Sequence, residues 1–429
     1  MKYILLPVLL LAVAPGIRAA TPAASIEVAD LPPAALARRL ILSSPEVTTA
    51  GAMLEADQAR RDRLAAGDHE TQLRFEGARR RVDPAGDRFR EWTVSLERPL
   101  RLPGKVRLDR ELGEEGVAVG RLSVADARHE AGRRLLRGWF AWLRESAATT
   151  LWEAQAADFS RLFAATRTRL KAGDASRLEA MQVDAAQAQA RAQALQARGR
   201  AEAAAAELAA QFPGIDVSRA VMPAAPTPRP AAEGIAALVD HNHELALAAA
   251  ETRRARTLAR RLAAERVPDP TLGLRLGSEI GGDQRIVGIS ITLPLPGEAR
   301  AASSRGQEAL AVAAGSQEAA ARRRAEAAAA ALVAQARAAT AAWREAEAAA
   351  NQSRTAARLL ERAQTLGEAG LAEVILARRQ AHEAELQALA ARVDAREADL
   401  RIRLDIHALW DFDDAEDAPG GATMAADLP

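Results

Sequence analysis

The sequence predicts a mostly α protein with a small β part: two tandem copies of a unit that joins a strand pair to a long α-helical hairpin. Three observations predict it. Landmarks recur in one order at a separation of about 194 residues. Two long runs contain no proline, from Val106 to about Lys171 and from Ala299 to about Leu366. Four short runs alternate apolar and polar residues with period 2, the signature of half-buried strands.

The chain opens with Met1-Lys2-Tyr3, an apolar run from Ile4 to Ala14, and small residues at Ala19 and Ala20. This reads as a signal peptide over 1–19, followed by an N-terminal linker over 20–30. Repeat 1 is expected over 31–212. It starts with a helix over about 32–66, and strands follow at about 71–77 (TQLRFEG) and 89–99 (FREWTVSLERP). Repeat 2 is expected over 231–410, with a helix over about 232–265 and strands at about 271–277 (TLGLRLG) and 285–294 (RIVGISITLP). The loops VDPAGD (82–87) and GSEIGGD (277–283) join the pairs. Upstream, PEVTTAGAMLEADQARRDRL (45–64) echoes HELALAAAETRRARTLARRL (243–262).

Each strand pair runs into a corner. Pro99, Pro103 and Gly104 mark the first, and Pro294, Pro296 and Gly297 the second, with Arg101-Leu102 as a two-residue insertion in the first copy. Proline ends a ladder by removing a donor. Each proline-free run beyond the corner spans roughly 100 Å as one helix. Tips are expected near 172–174 (Ala172, Gly173, Asp174) and 366–368 (Leu366, Gly367, Glu368), where glycine admits the left-handed conformation that ends a helix. Return helices run to about Phe212 and Trp410. Their heptad seams read Leu178, Met181, Ala185, Ala188, Ala192, Leu195, Gly199 and Val374, Ala377, Ala381, Ala384, Ala388, Ala391, Ala395, Ala398, Ile402. A proline-rich linker over 213–230 joins the copies, and an acidic, disordered tail is expected over 411–429.

Composition narrows the function. A net charge of +1 gives no reason to expect nucleic acid. There is no cysteine, hence no disulfide and no thiolate metal site. Beyond the leader no run is apolar enough for a membrane helix. A membrane role would therefore fall to the strands. Four strands cannot close a barrel, and open edges are not tolerated in lipid. Two chains would give a filled eight-stranded barrel, and three a twelve-stranded one with a lumen. A single small β-layer on a soluble helical rod is the other reading of the same strands. No nucleophile–base pair, phosphate loop or dinucleotide fingerprint occurs, so neither an enzyme nor a cofactor is expected.

Helix, strand, strand, long helix, glycine turn and return helix, twice over, resembles the TolC family of outer-membrane efflux proteins across about 30–410. LERPLRLPGK (96–105), ISITLPLPGE (289–298) and VPDPTLGLRLG (267–277) look most like its CzcC-type branch, which serves heavy-metal efflux. The resemblance implies a homotrimer in the outer membrane of a Gram-negative bacterium, with a twelve-stranded β-barrel continuous with a periplasmic α-barrel. It implies tips that dock a periplasmic membrane-fusion adaptor coupled to an inner-membrane RND pump. It also implies an acidic periplasmic aperture, whose positions fall on Glu373 and, in the first copy, Glu179; Leu376 stands where a second acid is usual. Drug efflux and type I protein secretion are alternative cargoes. A non-channel periplasmic coiled-coil or adaptor protein is the alternative of another class. Strand aromatics are few for a membrane barrel: Phe75, Phe89 and Trp92, all in copy one. The six histidines, His69, His129, His241, His243, His382 and His407, are expected not to cluster, and no metal site is expected.

Overall fold

The structure is a computed structural model that describes residues 30–218, 222–226 and 231–410. The expected leader, most of the N-terminal linker, the acidic tail and parts of the proline-rich linker lie outside these residues. Repeat 1 comprises α1 (Ala34–Leu42), α2 (Pro45–Ala66), β1 (Gln72–Val82), β2 (Asp87–Pro99), α3 (Pro103–Ala172) and α4 (Arg177–Gln211). Repeat 2 comprises α5 (Ala231–Asp240), α6 (His243–Ala264), β3 (Thr271–Glu279), β4 (Gln284–Thr292), α7 (Glu298–Thr365) and α8 (Leu371–Asp405). The same order of elements occurs twice. Among the described residues no helix is long and apolar enough to cross a membrane.

The first helix of each repeat is two helices, where the composition suggested one. Pro45 occupies the first turn of α2, where its missing N–H costs nothing. Asn242 caps α6, its side chain accepting from the Leu245 N–H at 2.8 Å. Both breaks are local caps inside runs whose helical composition does not change. That is why periodicity passes over them.

The four strands form one antiparallel sheet in chain order, β1-β2-β3-β4. β1 is longer than the alternation suggested. It continues through Ala78-Arg79-Arg80-Arg81 because these residues still pair, Arg79 with Arg90 and Arg81 with Arg88. Arginine on both faces hides the period. β3 likewise continues to Glu279, while β4 ends at Thr292, two residues short of Pro294.

α3 and α7 carry 70 and 68 residues, about 100 Å each at 1.5 Å per residue. The main core lies midway along α3, where Leu135, Trp139, Phe140 and Leu143 pack with Leu400 and Leu404 of α8. Arg396 makes a bidentate, buried pair with Asp30 at 2.9 and 3.0 Å. Asp30 also takes the Ala224 N–H at 2.7 Å, and its carbonyl takes the Trp139 indole N–H at 2.8 Å. This node ties the start of the described chain to the last helix.

The seam of α8 buries Val374, Ala377, Ala381, Ala395 and Ile402, as the heptads indicate. In α4 the buried seam is Val183, Ala186, Ala190 and Ala197. The residues read as its seam, Leu178, Met181 and Leu195, are exposed. In an alanine-rich helix two faces offer nearly equal apolar content. The partner helix chooses between them.

Candidate functional site

Register sorts the sheet into two unlike faces. Leu73 opposes Leu96, Phe75 opposes Val94, Leu96 opposes Leu274, and Leu274 opposes Ile289. All therefore lie on one face, and they stand open, with Phe75 at 71 % and Ile289 at 77 % exposure. The opposite face carries Arg74, Glu76, Ser95, Glu97 and Arg275. Beyond the apolar band, on the same side, the distal hairpin presents Arg79, Arg81, Arg88 and Arg90. β1 and β4 are edge strands, each paired on one side only among the described residues. One apolar face, one polar face and two open edges are properties that a barrel segment would have.

At the proximal end the corners meet. Pro99 closes β2, paired with Thr271, and Pro103 opens α3 at its first turn. Gly104 lies inside that helix and does not make the bend. In the second copy Pro294 and Pro296 lie in the connecting segment, and Gly297 is the residue before α7. The inserted Arg101 holds the first corner. Its guanidinium donates to the Leu64 and Ala65 carbonyls at 2.6 and 2.8 Å, and to Asp109 at 2.9 Å. These are terminal carbonyls of α2, which have no intrahelical partner.

Around Arg101 an ionic network joins the copies. Lys105, 1 % exposed, places Nζ 3.0 Å from Asp269 and 3.2 Å from Glu265. Arg261 pairs with Asp109 and Glu265, and Arg300 reaches Glu265 at 2.9 Å. His69 lies 3.0 Å from Asp269, which also accepts the Leu102 N–H at 3.0 Å. Burial alone would raise the Asp269 carboxyl. The bonds from Leu102, Lys105 and His69 outweigh it and hold the group below the usual carboxylate range. Glu265 is lowered too, against its own burial, by Arg261 and Lys105.

At the far end the two tips share one geometry. Gly173 has φ 85° and Gly367 φ 81°. The Asp174 N–H bonds the Arg169 carbonyl at 2.9 Å and the Glu368 N–H bonds the Ala363 carbonyl at 2.9 Å, with a second bond inside each. These are paired Schellman motifs. Ala172 ends α3, and Leu366 follows the last residue of α7. Glu179 and Glu373 are both third residues of return helices. Glu179 accepts from the Ser176 N–H at 2.7 Å while Ser176 Oγ accepts from the Glu179 N–H at 3.1 Å, a full capping box. Those bonds lower the Glu179 carboxyl. Glu373 accepts from the Gly370 N–H at 2.9 Å; glycine has no side chain to reciprocate. Each of the two carboxylates thus gives one oxygen to its cap and keeps the other outside it, and the Glu373 side chain is exposed.

The histidines do cluster, against the expectation. His129 of α3, His243 at the start of α6 and His407 just after α8 bring one ring nitrogen each within 4.8 Å of the others. His241 adds a ring contact to His407 at 5.0 Å. The one signal in the sequence was His241-x-His243. Residues two apart do not share a helix face, but the helix starts only at His243, so that rule does not apply to this pair.

No family model matches the chain, and no curated protein matches it in sequence. Solved structures do match its fold. The outer membrane protein VceC of Vibrio cholerae superposes at TM-score 0.71 with 18 % identity, covering 88 % of this chain and 96 % of its own. A membrane protein of Pseudomonas aeruginosa gives 0.69 with 18 % identity, covering 87 % and 93 %. The CmeC outer membrane channel of Campylobacter jejuni gives 0.68 with 12 % identity, covering 89 % and 86 %. Two strand pairs on two long helical hairpins, in one small antiparallel sheet, are the fold that this chain shares with the VceC outer membrane protein and the CmeC outer membrane channel.

Proposed function

We propose that the chain is the outer-membrane exit duct of a tripartite efflux pump and works as a homotrimer. The observation that carries this is the sheet. Its outer face is apolar and open, its inner face is polar, and both edges are open among the described residues. Three copies supply twelve strands, enough for a lumen, and satisfy every edge. The four arginines beyond the apolar band would meet anionic headgroups of the outer leaflet. The corner network would sit at the periplasmic rim, and the helices would extend about 100 Å into the periplasm. The duct performs no covalent chemistry.

In this reading the tips around Gly173 and Gly367 dock a periplasmic membrane-fusion adaptor, which couples to an inner-membrane RND pump. Glu373 from three copies forms the periplasmic aperture and attracts cations; Glu179, in the first tip, contributes less. The cargo is heavy-metal cations. Support for that cargo is the likeness of both Pro-Gly corners and of VPDPTLGLRLG to the heavy-metal branch. The test is purification from outer-membrane fractions, reconstitution in planar bilayers, and deletion followed by a metal and drug sensitivity panel. A detergent-extracted trimer that conducts, with lost tolerance to zinc, cobalt, cadmium, nickel or copper, is the expected result. A water-soluble, non-conducting monomer would overturn the duct. Unchanged metal tolerance with lost drug tolerance would replace the cargo alone.

A further inference from the structure

We propose that His129, His243 and His407 form a binding site for a divalent transition-metal cation of the zinc class, which pins the middle of α3 to the start of α6 and the end of α8. The site joins both repeats, and it does not depend on what passes through the duct.

Three ring nitrogens within 4.8 Å of one another are close to a coordination set. Metal–nitrogen bonds of about 2.0–2.1 Å in a tetrahedron put the nitrogens roughly 3.3 Å apart. The rings must therefore close by at most about 1.5 Å. His243 and His407 are stacked at 17° and only partly buried, one at a helix start and one in a turn, and in this assignment their rings turn toward a shared ion. His129 is 5 % exposed and fixed. Its Nε2 lies 3.1 Å from Asp405 Oδ1, and in this assignment Nδ1 is the nitrogen that takes the cation. A carboxylate on the far nitrogen is the usual means of orienting a metal-bound imidazole. Asp405 is itself held by Arg133 at 2.9 Å and Arg401 at 2.9 Å, so it orients rather than ligates.

The backbone at His407 is a second, independent sign. The Ala408 N–H bonds the Arg403 carbonyl at 2.8 Å and the His407 N–H bonds the Leu404 carbonyl at 3.0 Å. This is the Schellman turn of the two tips, with histidine where both tips use glycine, at φ 59°. A left-handed conformation is costly for a residue with a side chain, and such positions concentrate at functional sites. Here the turn delivers the ring to the other two. The donor set is imidazole with no thiol and with no carboxylate among the three, which suits zinc, copper or nickel over magnesium or calcium. Arg133 and Arg401 bring positive charge near the site. Asp405 offsets it, as does Asp126, which interacts electrostatically with His129 and with Glu130 and Glu244.

The test uses untagged, full-length protein in detergent, stripped with chelator and titrated with cobalt(II). One saturable site per chain with the visible absorption of tetrahedral cobalt, displaced by zinc, is expected. His243→Gln and His407→Gln should each weaken cobalt binding at least tenfold and abolish any zinc-induced rise in unfolding temperature. His382→Gln, outside the cluster, should change neither. Absence of a saturable site in the wild-type protein would overturn the assignment. So would full binding retained by both His243→Gln and His407→Gln.

Discussion

Lys105 Nζ lies 3.0 Å from Asp269 Oδ1, and the pair bridges the two repeats where the helices leave the sheet. Lys105 belongs to the first turn of α3, and Asp269 to the segment entering β3. The lysine is 1 % exposed, so its charge has almost no water to fall back on.

Removing that charge should be severe. Lys105→Met leaves Asp269 and Glu265 without their shared cation, and breaking a buried pair from one side costs about 3 kcal/mol or more. The expected outcome is a clear fall in the thermal midpoint, followed by circular dichroism in detergent. A midpoint within a degree of wild type would show that the network contributes nothing.

The same network should respond to acid. Asp269 and Glu265 have folded pKa values below their ordinary ones. A depressed carboxyl contributes stability that is present above its unfolded pKa and lost as pH falls through the folded value. Stability should thus hold at pH 5 and above and decline from about pH 4 downward. Asp269→Asn should flatten that decline, as measured by unfolding midpoints across the range.

Arg101 predicts an asymmetry between the corners. It satisfies two end carbonyls of α2 and pairs with Asp109, whereas in the second copy Arg300 reaches one carbonyl at the end of α6, that of Glu265, at 3.2 Å. Arg101→Ala should cost about 2–4 kcal/mol, from lost charge-assisted hydrogen bonds. Arg101→Lys should recover less than half, because an ammonium cannot fork to three acceptors in fixed directions. Chemical denaturation of the three proteins ranks them directly.

The tip glycines should be sensitive to backbone conformation and insensitive to bulk. Nothing lies within 4 Å of a methyl placed on Gly173 or Gly367. Gly367→Val should cost about 1–2 kcal/mol of local helix-end stability through the left-handed φ. Gly367→Asn should cost less. Amide exchange over 360–375 reads the difference, and equal exchange in both variants would refute the turn's role.

If three copies of Glu373 ring the aperture, Glu373→Gln should lower the preference for cations over anions in bilayer reversal potentials. Glu179→Gln should change it much less, because in this reading the second tip forms the ring. Equal effects of the two substitutions would remove the aperture assignment.

What the sequence determined was whatever is written locally. The proline-free runs made the hairpins, alternation at Leu73–Phe75 and Leu272–Leu276 made strands, and Gly173 and Gly367 ended helices. Duplication made the order of elements legible twice. Tertiary structure decided what depends on residues far apart. β1 runs on through its arginines because β2 continues to pair with them, which no period in Ala78-Arg79-Arg80-Arg81 could signal. α4 buries Val183 and Ala186 because α3 presents Phe159 there, and two alanine faces are nearly equal until a partner arrives. The histidines meet because a left-handed turn at His407, a helix start at His243 and the midpoint of α3 converge. Sequence separation hides such convergence: spacing rules hold within one regular element, and these three rings belong to three.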